Sequence, residues 1–201
     1  MRRTVGALAV GSVKATAFAL AARSAAPPSV NDSMTKVMSV NAQTIWDISS
    51  QAFNKRGDGL VASKVRPKDW AQLQEAAQAI RTRALYLAKA PRNLVVAAKD
   101  EQILGEEAST GGVKKMYDAA NRQQIKGLID ANPALFTKRA NILARSMGDL
   151  VKAAKARDVK VFYRVSANLD EDCDGCHQPF WGTDEPPAVT KAMRTLKPLG
   201  K

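Results

Sequence analysis

Apolar residues recur at steps of three and four along most of this chain, which is the period of an amphipathic helix rather than of a strand. Asn31-Asp32-Ser33 offers N-cap residue types. Met34, Val37, Met38, Ile45, Trp46 and Phe53 then mark one face of a first helix ending near Asn54. Gly57-Asp58-Gly59 breaks that pattern, and residues 60–66 form a connection. Pro67 suits the first turn of a second helix. Its stripe is Trp70, Leu73, Ala77, Ile80, Ala84 and Leu87, and it stops near Pro91.

Residues 92–131 are less regular. Leu94-Val95-Val96 reads as a short extended piece or a tail of the second helix, Ser109-Thr110-Gly111-Gly112 as a loop, and Lys114 to Ala131 as a shorter inserted helix. The glycines lack the Gly-x4-Gly-Lys-Ser/Thr spacing of a phosphate loop. Asn132-Pro133 pairs an N-cap with proline at the first helical position. A third main helix follows to about Ala156, with Phe136, Ile142, Leu143, Met147 and Leu150 inward. Arg157-Asp158 is a tight junction. The fourth helix carries Val159, Phe162, Tyr163, Ser166, Leu169, Cys173, Cys176, His177 and Phe180 at helical steps. Pro186-Pro187 ends the domain, and residues 188–201 form a basic tail. The expected fold is all-α, without internal repeat or second domain.

Composition agrees. Aromatic residues are 5% of 201 and hydrophobic residues 45%, which supports a helical core rather than a sheet. The formal charge is +12. Residues 1–26 carry Arg2, Arg3, Lys14 and Arg23 and no acid, followed by small residues, as an export signal does. The remainder has 27 basic and 19 acidic residues, a charge of +8. Lys14 interrupts the leader's apolar run, and no later run reaches membrane length, so no transmembrane span is expected. The positive charges are scattered along helices with few aromatics between them, which disfavours nucleic acid as a partner. An acidic docking surface on a partner protein suits them better.

Asp172-Cys173-Asp174-Gly175-Cys176-His177 holds both cysteines and the only histidine. Cys-x-x-Cys-His is the c-type haem attachment signature. Two thiols can add across the two haem vinyl groups, and the following imidazole can reach the iron. On a helix, positions 173, 176 and 177 share one face, so a single segment can perform all three tasks. Structural zinc needs four ligands and finds three here. A redox Cys-x-x-Cys belongs near a βαβ unit, whereas this segment reads as helix. The acidic run mimics an EF-hand opening, but Trp181 stands where that loop needs a glutamate. Export fits, because bacterial haem attachment occurs outside the cytoplasm, and this points to the periplasm.

Four amphipathic helices with this motif late in the last one resemble cytochrome c′ and its relatives, the class II c-type cytochromes, across roughly residues 31–182. Met34-x-x-Val37-Met38 with Ala42 and Trp46 is similar to the opening helix of their Met-ligated members. The resemblance implies an antiparallel four-helix bundle, with residues 92–131 inserted between the second and third main helices. It divides the chain into an export signal (1–26), a haem domain (27–187) and the tail (188–201). It implies one covalent haem c on Cys173 and Cys176, with His177 as axial ligand, and electron transfer to a redox partner rather than enzymatic turnover. A two-helix homodimer interface is common among such proteins. Cytochrome c′ usually carries a basic residue four positions after the haem histidine, and here that position is Trp181. This argues against a c′-like proximal pocket.

The sixth coordination site decides between electron transfer and binding of NO or CO. A second histidine ligand is impossible. Methionine is the remaining strong donor, with Met34 and Met38 as candidates, and the resemblance to the Met-ligated relatives, through the spacing to Trp46, implies Met34 rather than Met38 as the second iron ligand. Met at helical spacing also serves as core filler, which would leave the site open. A peroxidase-like enzyme would need distal acid–base groups and has no second histidine to supply one.

Overall fold

The computed structural model describes residues 27–99, 103 and 122–181. The expected export signal, the expected loop at residues 109–112, the first part of the helix expected over residues 114–131, and the expected tail lie outside the described residues. Those described are mostly helical, with no strand among them. One isolated bridge pairs Phe53 with Leu60.

Helix α1 (residues 30–52) is continuous but not uniform. An α-helical turn, Val30–Asp32, leads into a π-helical segment, Ser33–Met38, and then into regular α-helix, Ser39–Ala52. The N-cap is Ser29, two residues before the expected start, and its side chain accepts from the Asp32 amide. The π segment is marked by the Ser39 amide reaching back to the Met34 carbonyl. The cause lies at the two ends. The amides of Val30 and Asn31 donate to the carbonyls of Val95 and Val96 at 2.8 and 2.9 Å, which pins the start. Ala42, Ile45, Ile48 and Ala52 are buried and set the register of the rest. The widened turn takes up the mismatch. The hydroxyls of Ser33 and Thr35 bond carbonyls four residues back, which favours distortion of a helix. Helix α1 stops at Ala52, so Phe53 leaves the expected stripe, is 36% exposed, and packs edge-on to Tyr163.

Helix α2 (Pro67–Lys89) begins at the expected proline. The Asp69 carboxylate accepts from the Arg66 amide and from its guanidinium, at 2.8–2.9 Å. After a short 3-10 turn, Pro91–Asn93, residues 94–96 are neither helix tail nor strand. They are the strap that receives the start of α1. Helix α3 (Arg122–Ala131) buries Ile125 and Ile129 completely. Helix α4 (Pro133–Ala156) starts on Asn132, whose side chain accepts from the Leu135 amide, and ends on Arg157 in the left-handed region. Helix α5 (Val159–Phe180) starts on Asp158, which caps the amides of Lys160 and Val161.

Helix α2 packs most extensively on α4, α4 on α5, and α1 on both α2 and α5. Leu73, Ile80, Leu87, Met147, Leu150, Phe162 and Leu169 fill the shared interior. Trp70 meets Phe162 edge-on with centroids 5.9 Å apart, and Phe136 meets Phe180 at 5.2 Å. The second contact holds the end of α5 against α4. That end carries the Cys-x-x-Cys-His sequence.

Candidate functional site

The core is not filled at this end. All four long helices border an apolar cleft of about 1170 Å³ of empty space, including its opening to solvent. Helix α1 contributes Met34, Met38, Ala42 and Trp46. Helix α2 contributes Ile80, Ala84 and Leu87, and α4 contributes Phe136, Arg139 and Leu143. From α5 and its cap come Leu169, Asp172, Cys173, Cys176, His177 and Trp181.

Every residue singled out from the sequence as a site residue therefore borders one cavity. Cys173, Cys176 and His177 line the α5 side, in a continuous helix, as the three- and four-residue spacing predicts. Cys173 and Cys176 are not joined in a disulfide. Met34 and Met38 line the α1 side, within the π-helical segment. A π turn has more residues per turn than an α-helix, so residues four apart fall more nearly in line. Such segments are frequent at functional sites. Met38 is 8% exposed and belongs to the core, whereas Met34 is half-buried at the cleft. Met147 is fully buried and does not line the cleft.

Electrostatics distinguish the polar members. Desolvation pushes the Cys176 thiol up to about 12, against a smaller opposing pull from the Arg139 charge. Burial also raises Asp172 above the ordinary carboxylate range. A hydrogen bond with Ser146 and the charges of Arg139 and Arg145 oppose that rise, while Glu171 adds to it. Arg139 and Asp172 are the site residues that periodicity did not single out. Both are polar residues in helical stretches, and only the packing of α4 on α5 brings them to the cleft. Pro179, inside the last turn of α5, has no N–H to offer the carbonyl four residues back, that of Gly175. Trp181 ends the helix with its amide on the His177 carbonyl at 2.7 Å.

The donor set suits a flat, largely apolar group anchored at one edge. Two thiols and an imidazole stand on one wall, a thioether on the facing helix, and apolar side chains between them. Among the described residues no three His, Cys, Asp or Glu side chains gather to hold a metal ion by themselves. No described helix is long and apolar enough to cross a membrane. No family model, curated protein or solved structure matches the chain.

Proposed function

We propose that this chain is an exported, periplasmic mono-haem c-type cytochrome that transfers electrons, built as an antiparallel four-helix bundle with the segment around α3 inserted between its second and third main helices. The observation that carries the reading is the cleft. It gathers Cys173, Cys176 and His177 on one wall and Met34 on the facing helix, in an otherwise apolar lining. Cys173, Cys176 and His177 were selected from the sequence on chemical grounds and Met34 through its resemblance to the Met-ligated relatives, and nothing in helical periodicity alone obliges α1 and α5 to share an unfilled cavity.

The residues divide the work as follows. Each cysteine would add its S–H across one vinyl C=C, sulfur to one carbon and hydrogen to the other, which needs no oxidant or reductant. His177 would ligate iron from the α5 side and the Met34 thioether from the α1 side. When bound, the haem supplies the one-electron couple. Leu87, Leu143 and Trp46 would shield the bound group from water, and a largely apolar surrounding with His177 and Met34 as ligands would suit a couple that reorganises little between oxidation states. A basic surface of net +8 after leader removal suits a partner with an acidic docking face.

Denaturing gel electrophoresis with haem staining of protein matured in a periplasm tests the assignment. The stain should stay with the chain, and should be lost in the Cys173→Ala/Cys176→Ala double variant. Haem that leaves the wild-type chain on denaturation refutes it. The reduced visible spectrum then assigns the chemistry. A sharp low-spin band marks an electron carrier, and a broad high-spin band marks an open site of the NO- or CO-binding kind.

A further inference from the structure

Arg139 is an anomaly in this cleft. It projects from α4 into a largely apolar lining that also holds the Asp172 carboxylate. It is half-buried, and its Nε is fully buried without a hydrogen-bond partner. Its charge is felt by Cys176 and by Asp172, a carboxylate that lines the same cleft. Arg66, by contrast, lies on Asp69 in a paired geometry. A partly desolvated cation with a buried N–H that finds no acceptor is costly and is rarely kept for packing alone.

Its position is specific. A Cβ built on Gly175 would lie 3.1 Å from Nη1, 3.4 Å from Cζ and 3.5 Å from Cδ of Arg139. The guanidinium therefore lies against the backbone of the Cys-x-x-Cys-His segment, on the side facing α4. Glycine between the two cysteines leaves the space it occupies. Leu143, one turn further along α4, and Phe136, one turn before, are both buried and fix the helix that carries it.

We infer that Arg139 is a positioning residue that holds a fixed positive charge beside the haem-attachment segment and thereby raises the reduction potential of the bound iron. The inference rests on the haem reading given above. The physics is charge–charge interaction in a poorly screened site. A cation nearby disfavours the state with one more positive charge, which is the ferric state, and favours the ferrous state. Because the group is half-buried, solvent screens its field only in part, and the Asp172 carboxylate in the same cleft offsets some of it without removing it.

The test is a redox titration of holoprotein whose covalent haem has first been verified by denaturing gel. Arg139→Gln should shift the midpoint potential downward, with the spin state and thioether link unchanged. Arg139→Lys, which keeps the charge, should stay close to wild type. Gly175→Ala should give a smaller downward shift by displacing the guanidinium, and no further shift when combined with Arg139→Gln. Thermal unfolding of each variant confirms that it is folded. Absence of covalent haem in the wild type would defeat the haem reading itself. With haem attached, an Arg139→Gln potential equal to wild type overturns the inference alone. So does an Arg139→Lys potential as low as that of Arg139→Gln, or an additive effect of Gly175→Ala in the glutamine background.

Discussion

Replacing Met34 and Met38 by alanine, one at a time, separates ligation from packing. Each truncation removes Cγ, Sδ and Cε. At about 0.8 kcal/mol per methylene-sized group, complete loss of burial costs roughly 2 kcal/mol. Met38 is 8% exposed and belongs to the core cluster, so it should lose nearly all of that. The cavity contribution, which carries methionine truncations toward about 5 kcal/mol elsewhere, should be small in the haem-free chain. The space vacated opens into a cleft that already exists. Met34 is only half-buried, and roughly 1 kcal/mol is expected for it by the same scaling. At about 2–4 °C per kcal/mol for a chain of this size, Met38→Ala should melt about 4–8 °C lower and Met34→Ala about half as much. In the haem-loaded protein the order should reverse in the visible spectrum. Met34→Ala should become high-spin, lose the thioether-to-iron charge-transfer band and bind CO. Met38→Ala should stay low-spin. Urea titration of both forms gives the stabilities, and absorption gives the spin state. A high-spin wild type removes thioether ligation altogether. A low-spin Met34→Ala beside a high-spin Met38→Ala moves the ligand to Met38.

Two further outcomes follow from the polar groups. Asp69 accepts from Arg66 as a salt-bridged cap, which lowers its pKa below 3.8 through the side-chain hydrogen bond first. A depressed carboxylate stabilises the fold above its unfolded pKa and loses that contribution as pH falls through the folded one. Asp69→Ala should therefore cost about 1 kcal/mol near neutrality, and the difference between the two melting temperatures should close as pH drops below about 4. In the haem-free chain, Cys176 with a pKa of about 12 is neutral far above physiological pH. At pH 8 about one thiol in 10⁴ is thiolate, against roughly a quarter for an ordinary cysteine, so iodoacetamide should label an unfolded chain at Cys176 at least a hundredfold faster than a folded one. Equal rates, measured by mass spectrometry, would show that the thiol is not shielded.

Much of this molecule is written locally. The proline starts at Pro67 and Pro133, the Asn132 cap and most of the periodic stripes need only nearest-neighbour physics, and they are found where the sequence puts them. The spacing of Cys173, Cys176 and His177 likewise needs only a helix to align it. Three things could not be read this way. The π-helical segment depends on two distant constraints acting on α1: hydrogen bonds donated to the carbonyls of residues 95 and 96 at one end and core packing at the other. Residues 94–96 are apolar enough to suggest a strand or a helix tail, yet they serve as a strap because α1 supplies the donors. Arg139 reads as an ordinary solvated charge on an amphipathic helix. Only the approach of α4 to Gly175 makes it a cation in a cleft. Periodicity reports which face of a helix is covered. Which helix covers it, and where the cover leaves a gap, is settled by the packing of all four together.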